Sequence, residues 1–126
     1  MSFNRRRFVQ AGAAVSASLG IQNIGFSQTN PIRLGLMTVK TGPLASGGID
    51  MERALTQYLK ERQSTMGGRK VDLSVGDSGG VPAQSRTKLQ ELVERDKIQI
   101  MIGPLAAAEA LAADDYIRQA RLAVRS

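Results

Sequence analysis

The chain contains no cysteine, no histidine and no tryptophan. Without cysteine it forms no disulfide, runs no thiol chemistry and ligates no metal through sulfur. Without histidine it lacks the commonest general base and the commonest transition-metal ligand. Aromatic residues are scarce: Phe3, Phe8 and Phe26 lie near the N-terminus, and only Tyr58 and Tyr116 follow them. Proteins that bind single-stranded nucleic acid stack bases on aromatic platforms set between basic residues, so nucleic acid is not expected as a partner. A long apolar run is missing too. The stretch from Ala11 to Phe26 is interrupted by Ser16, Ser18, Gln22 and Asn23, short of the roughly 18 consecutive apolar residues that mark a membrane span.

What stands at the N-terminus is Asn4-Arg5-Arg6-Arg7-Phe8-Val9-Gln10 followed by that weakly apolar stretch. Paired arginines, a spacer and Phe8, with no acidic residue, resemble a twin-arginine export signal, with Arg5, Arg6 and Phe8 as its characteristic positions. Gly25 and Ser27 flank Phe26 in a small-x-small pattern, which predicts cleavage near Ser27 and a mature chain from residue 28. Arg5, Arg6 and Arg7 supply half of the formal net charge of +6. The remaining charges alternate in sign instead of forming a basic block.

Beyond the signal, strand and helix patterns alternate. Ile32, Leu34 and Leu36 alternate with Arg33, Gly35 and Met37, predicting a strand over 32–38. Met51, Leu55, Tyr58 and Leu59 carry helical spacing, predicting a helix over about 49–65 that Gly67-Gly68 ends. Val71, Leu73 and Val75 alternate with Asp72 and Ser74, as in a strand with one wet face at the sheet edge. Pro82 suits the first turn of a second helix running to about Arg95, with Leu89, Leu92 and Val93 inward. Ile98, Ile100, Met101 and Ile102 read as a central strand, Ala107 to Ala120 as a third helix, and Leu122-Ala123-Val124 as the opening of a fourth strand. This alternation predicts the α/β class, a parallel sheet with flanking helices and right-handed crossovers, its four strands in spatial order 2-1-3-4. Ligands of such sheets bind at the carboxyl ends of the strands where the winding reverses, here between the first and third strands.

Three motifs fail on inspection. Gly76-Asp77-Ser78-Gly79-Gly80 matches the string around a serine-protease nucleophile, but no histidine is present to take the serine proton. Gly42 to Gly47 has the gap of a phosphate loop, yet Gly48-Ile49 stands where Lys-Ser or Lys-Thr should be, and no dinucleotide fingerprint follows the first strand. Asp114 and Asp115 are adjacent on a helix, point about 100° apart, and suit a solvated face better than a shared metal site. Neither a cofactor nor a metal is expected. Met37, Met51, Met66 and Met101 are expected as core or near-core filler.

The order of parts, Ile32-Arg33-Leu34-Gly35-Leu36 leading to Thr41-Gly42-Pro43-Leu44-Ala45, then Gly67-Gly68-Arg69-Lys70-Val71-Asp72-Leu73, Asp77, Pro82 and Ile102-Gly103-Pro104, resembles the start of the branched-chain amino-acid-binding (Leu/Ile/Val-binding) family. These are type I periplasmic substrate-binding proteins of ABC transporters. The resemblance implies a periplasmic receptor without catalysis that closes two lobes on a small-molecule solute and hands it to an ABC transporter permease, after export by the twin-arginine machinery. It implies that residues 28–126 are the first part of lobe one, an incomplete N-terminal lobe of that fold. It also implies ligand contacts from Leu44, Ala45, Ser46 and Gly47 after the first strand and from Leu105, Ala106 and Ala107 after the third. Two departures bear on the solute: Gly47 replaces the aromatic residue, and Ala107 the serine, of the amino-acid binders, which opens the site to other organic acids or amides. The alternatives of other classes are a ligand-sensing regulatory module of the same fold and a non-functional truncation product. An α/β enzyme is disfavoured by the missing histidine, cysteine and phosphate loop.

Overall fold

Apolar residues at every second position from Ile32 give the first strand one apolar face, and from Leu34 onward Gly35 and Met37 bury the other face as well. In the computed structural model, which describes residues 30–125, β1 (Ile32–Thr38) lies at the centre of the sheet. The chain continues through α1 (Ala45–Glu61), β2 (Thr65–Met66), β3 (Arg69–Asp77), α2 (Pro82–Glu94), β4 (Ile100–Ile102), α3 (Ala107–Ala120) and β5 (Ala123–Arg125). The twin-arginine motif and the cleavage position near Ser27 lie outside the described residues. Among the described residues, no helix is long and apolar enough to cross a membrane.

The sheet has the order β2-β3-β1-β4-β5. β1 pairs in parallel with β3 (Leu34 opposite Leu73) and with β4 (Leu34 opposite Ile100), and β4 pairs in parallel with β5. The expected 2-1-3-4 arrangement is therefore present, with one strand added outside it. Even-numbered residues of β1 point to one face, where Leu34 packs with Val71 and with Leu59 of α1, flanked by Ile32, Leu55, Leu73, Ile100 and Ile102. Met37 points to the other face and joins Met101, Ile98, Leu89, Leu92 and Ala113 beneath α2 and α3.

The expectations for the first helix, the glycine pair after it, the sheet edge, Met66 and the third strand need correction. The first helix begins at Ala45 and ends at Glu61, four residues earlier at each end than its spacing suggested. The predicted tail of that helix is instead β2, which pairs antiparallel with Arg69 and Lys70 across Gly67-Gly68. Both glycines have positive φ, +57° and +77°, the conformation that a two-residue hairpin turn demands and that glycine adopts freely. The pair thus makes a hairpin turn rather than a helix stop, and β2 displaces the start of β3 from the sheet edge. Met66, on this short outer strand, is exposed, whereas Met37 and Met101 are buried as expected and Met51 is half-buried. The third predicted strand is shorter: Ile98 is buried but precedes β4.

Candidate functional site

All the loops that leave the parallel strands at their carboxyl ends gather on one side of the sheet. The β1 loop enters α1 with Leu44 as its N-cap and Ala45, Ser46 and Gly47 in its first turn. The β4 loop runs through Leu105 to Ala106, the N-cap of α3, and Ala107 begins that helix. The two segments face each other: a Cβ placed on Gly47 would lie 3.9 Å from Leu105 Cδ2. All seven candidate residues are thus brought together, and Leu44, Ser46, Gly47, Leu105 and Ala107 are exposed on a shelf open to solvent. Ala45 to Gly47 belong to a helix and not to a loop, which corrects the expected setting.

The glycine pair explains how α1 reaches the site. A Cβ on Gly48 would overlap the backbone of Val39, so only glycine lets the first turn of α1 lie against the chain leaving β1. The buried Thr38 Oγ1 seals that approach by donating to the Gly48 carbonyl at 2.9 Å. Ala45 N–H donates to the Gly42 carbonyl and Gly48 N–H to that of Leu44, each at 3.1 Å. The Ser46 and Gly47 N–H groups have no acceptor among the described residues, and Leu44 supplies no capping side chain. No acidic residue occupies this first turn, so two outward N–H donors at the positive end of a helix dipole are available to an anion.

The end of α3 differs. Glu109, three residues past the N-cap, is fully buried, and its Oε2 accepts the Ala106 N–H at 3.2 Å. A carboxylate of the chain itself already occupies this helix N-terminus.

Asp77 joins the β1 and β3 loops. Its Oδ1 accepts the Lys40 N–H and the Gly79 N–H, both at 2.9 Å. Its pKa is lowered below the ordinary carboxylate value, chiefly by the hydrogen bond from the Lys40 backbone, with further help from Gly79 N–H, the Lys40 charge and Thr41. Lys40 Nζ in turn pairs with Glu52 of α1 at 2.9 Å. Ser78 is fully buried and its hydroxyl donates to the Thr38 carbonyl at 3.2 Å, so it braces β1 and is no accessible nucleophile. Asp114 pairs with Arg118 at 2.9 Å on a solvated face. Among the described residues, no cluster of three or more Asp or Glu side chains is arranged to hold a metal. An open groove of about 700 Å³ runs along the flank of α1 past Lys40, Glu52, Arg53 and Lys60, and contains none of the seven candidate residues.

Sequence reasoning missed the anchoring by Asp77 and by Glu109. A glutamate three residues after a helix N-cap is a readable signal, but alanine at the cap hid it.

With this geometry established, the model of the periplasmic binding protein family matches residues 31–126. The chain belongs to that family. Its fold superposes on an ABC transporter substrate-binding protein from Sphaerobacter thermophilus with a TM-score of 0.70 and 36% identity, over 75% of this chain and 25% of that one. A solute-binding protein of an ABC transporter from Rhodopseudomonas palustris BisB5, solved with 3,4-dihydroxybenzoic acid, gives 0.71 and 28% over 76% of this chain and 26% of that one. A branched-chain amino acid transporter protein of Rhodopseudomonas palustris CGA009 gives 0.68 and 27% over 74% and 26%. The chain therefore spans about a quarter of the length of these solved relatives. Among curated proteins no relative matches. In family terms, the described residues form a partial domain of the periplasmic binding protein fold.

Proposed function

We propose that the protein is the periplasmic solute receptor of an ABC importer and that its solute is a small organic carboxylate, an aromatic acid in preference to a branched-chain amino acid. One observation carries this reading: the Ser46 and Gly47 N–H groups stand without acceptors at the start of α1, facing Leu105 across the shelf. A ligand carboxylate fits those donors. The opposite end, where Glu109 Oε2 already accepts the Ala106 N–H of α3, suits a neutral or hydrogen-bond-donating group. Gly47 and Ala107 add neither ring nor hydroxyl, which leaves width for a planar acid and no side-chain partner for an ammonium group. The 3,4-dihydroxybenzoic acid bound by one relative supports the same class.

In this reading a second lobe closes over the shelf, desolvates the carboxylate and strengthens its bonds to the α1 donors before the solute passes to a permease. Delivery to the periplasm is assigned to the twin-arginine machinery through Arg5 and Arg6.

The test is calorimetric titration of the intact protein with benzoate, 4-hydroxybenzoate, 3,4-dihydroxybenzoate, benzamide and isoleucine. At least one aromatic acid is expected to bind with micromolar affinity, and benzamide at least about tenfold more weakly than benzoate. Isoleucine binding more tightly than every aromatic acid would overturn the solute class.

A further inference from the structure

Two side chains on the helix layer are fully buried and carry polar atoms without a hydrogen-bond partner among the described residues: Ser85 Oγ and Glu109 Oε1. They belong to different helices but to the same level of the fold. Ser85 precedes Leu89 by four residues on α2, and Glu109 precedes Ala113 by four on α3, so each lies one helical turn above its partner on the same face. Leu89 and Ala113 pack in one buried cluster. The two helices start at the same end of the sheet, because each follows a strand parallel to the other. Ser85 and Glu109 thus both stand in the first turn of their helices, buried at the end that carries the candidate site. A carboxyl oxygen and a hydroxyl left unpaired in a closed interior each carry a desolvation cost.

We infer that Glu109 is a positioning residue for the β4–α3 loop and works with Ser85 through one bound water held between the first turns of α2 and α3. The water donates to Glu109 Oε1 and exchanges a hydrogen bond with Ser85 Oγ, which gives it the two or more polar partners that a buried water needs. Glu109 Oε2 meanwhile holds the Ala106 N–H. The loop bearing Leu105, Ala106 and Ala107 is thereby fixed to α2 as well as to α3. This role rests on the solute-site reading only for its purpose, since the clasp itself exists or fails without any solute.

The experiment measures amide hydrogen exchange at Ala106 and Ala107 in the intact protein without solute, for Ser85→Ala, Glu109→Gln, Glu109→Ala and the Ser85→Ala/Glu109→Ala pair. Glu109→Ala is expected to speed Ala106 exchange by at least about tenfold, with Ser85→Ala smaller and adding nothing in the Glu109→Ala background. Glu109→Gln, which keeps an acceptor for Ala106 N–H, restores most of the protection and guards against a simple folding defect. Additive effects of Ser85→Ala and Glu109→Ala, or unchanged exchange in Glu109→Ala, would overturn the clasp. A high-resolution crystal structure is expected to show one water within hydrogen-bond distance of both atoms, and side chains turned apart with no shared water would refute it. Benzoate affinity measured on the same variants separates the readings: a clasp intact in a protein that binds no acid leaves this inference standing and removes the solute assignment.

Discussion

At the residue scale, Asp77 shows how an acceptor can matter more than a motif. Its string resembles a protease signature, yet its carboxylate spends both hydrogen bonds on the Lys40 and Gly79 backbone, one in each of two loops. Asp77→Ala is expected to cost about 1–2 kcal/mol, because two backbone donors lose a charged acceptor; denaturant unfolding checks it. Asp77→Asn retains an oxygen at that place and is expected to recover most of the loss. The pH dependence has a definite sign. The folded-state pKa of Asp77 is depressed, so its contribution is complete above the unfolded value of about 3.9 and fades as pH falls through the lower folded value. Stability of the parent is therefore expected to fall more steeply below about pH 4 than that of Asp77→Asn; parallel acid titrations by circular dichroism decide it.

At the scale of elements, the existence and order of the four parallel strands and the second and third helices were legible from their apolar periods, although β2 was not. The limits of β1 and α3 agree with the sequence to the residue. The first helix was misplaced for a physical reason: Gly47-Gly48 carries two meanings in sequence, a loop or a helix turn pressed against backbone, and only the contact with Val39 distinguishes them. Gly67-Gly68 was ambiguous in the same way, between a helix stop and a hairpin turn, since a two-residue partner strand leaves almost no period to read. The seven candidate residues came from family resemblance alone, as two leucines, three alanines, a serine and a glycine carry no distinctive chemical signature. The donors that the first turn of α1 leaves free are the Ser46 and Gly47 backbone N–H groups, which composition does not display. The two glycines of α1 should behave oppositely. Gly48→Ala is expected to lose at least about 2 kcal/mol, since its Cβ meets rigid backbone. Gly47→Ala meets only the tip of Leu105 and is expected to be neutral or to stabilise by up to about 1 kcal/mol. Thermal unfolding of both variants is the check, and equal losses would mean that α1 does not dock through Gly48.

At the scale of the whole molecule, the two faces of the sheet are unequally covered. α2 and α3 together enclose Met37 and Met101, whereas α1 alone stands over Leu34 and Val71, and Ile100 and Ile102 are only partly buried beside it. β5 pairs with β4 on one side and is exposed throughout, and among the described residues no strand pairs with its other edge. The candidate shelf is open for a related reason: it is one wall, and a good pocket buries roughly 70–90% of its ligand. Residues 28–126 expressed by themselves are therefore expected to unfold with low cooperativity and to bind benzoate no tighter than about 1 mM, while a polypeptide of the length of the solved relatives reaches micromolar affinity. Calorimetric titration and thermal melts of the two proteins, run side by side, test this. A sharp transition with micromolar binding by the short polypeptide would show that a single wall suffices, and affinity would then have to come from the α1 donors alone, without closure by a second lobe.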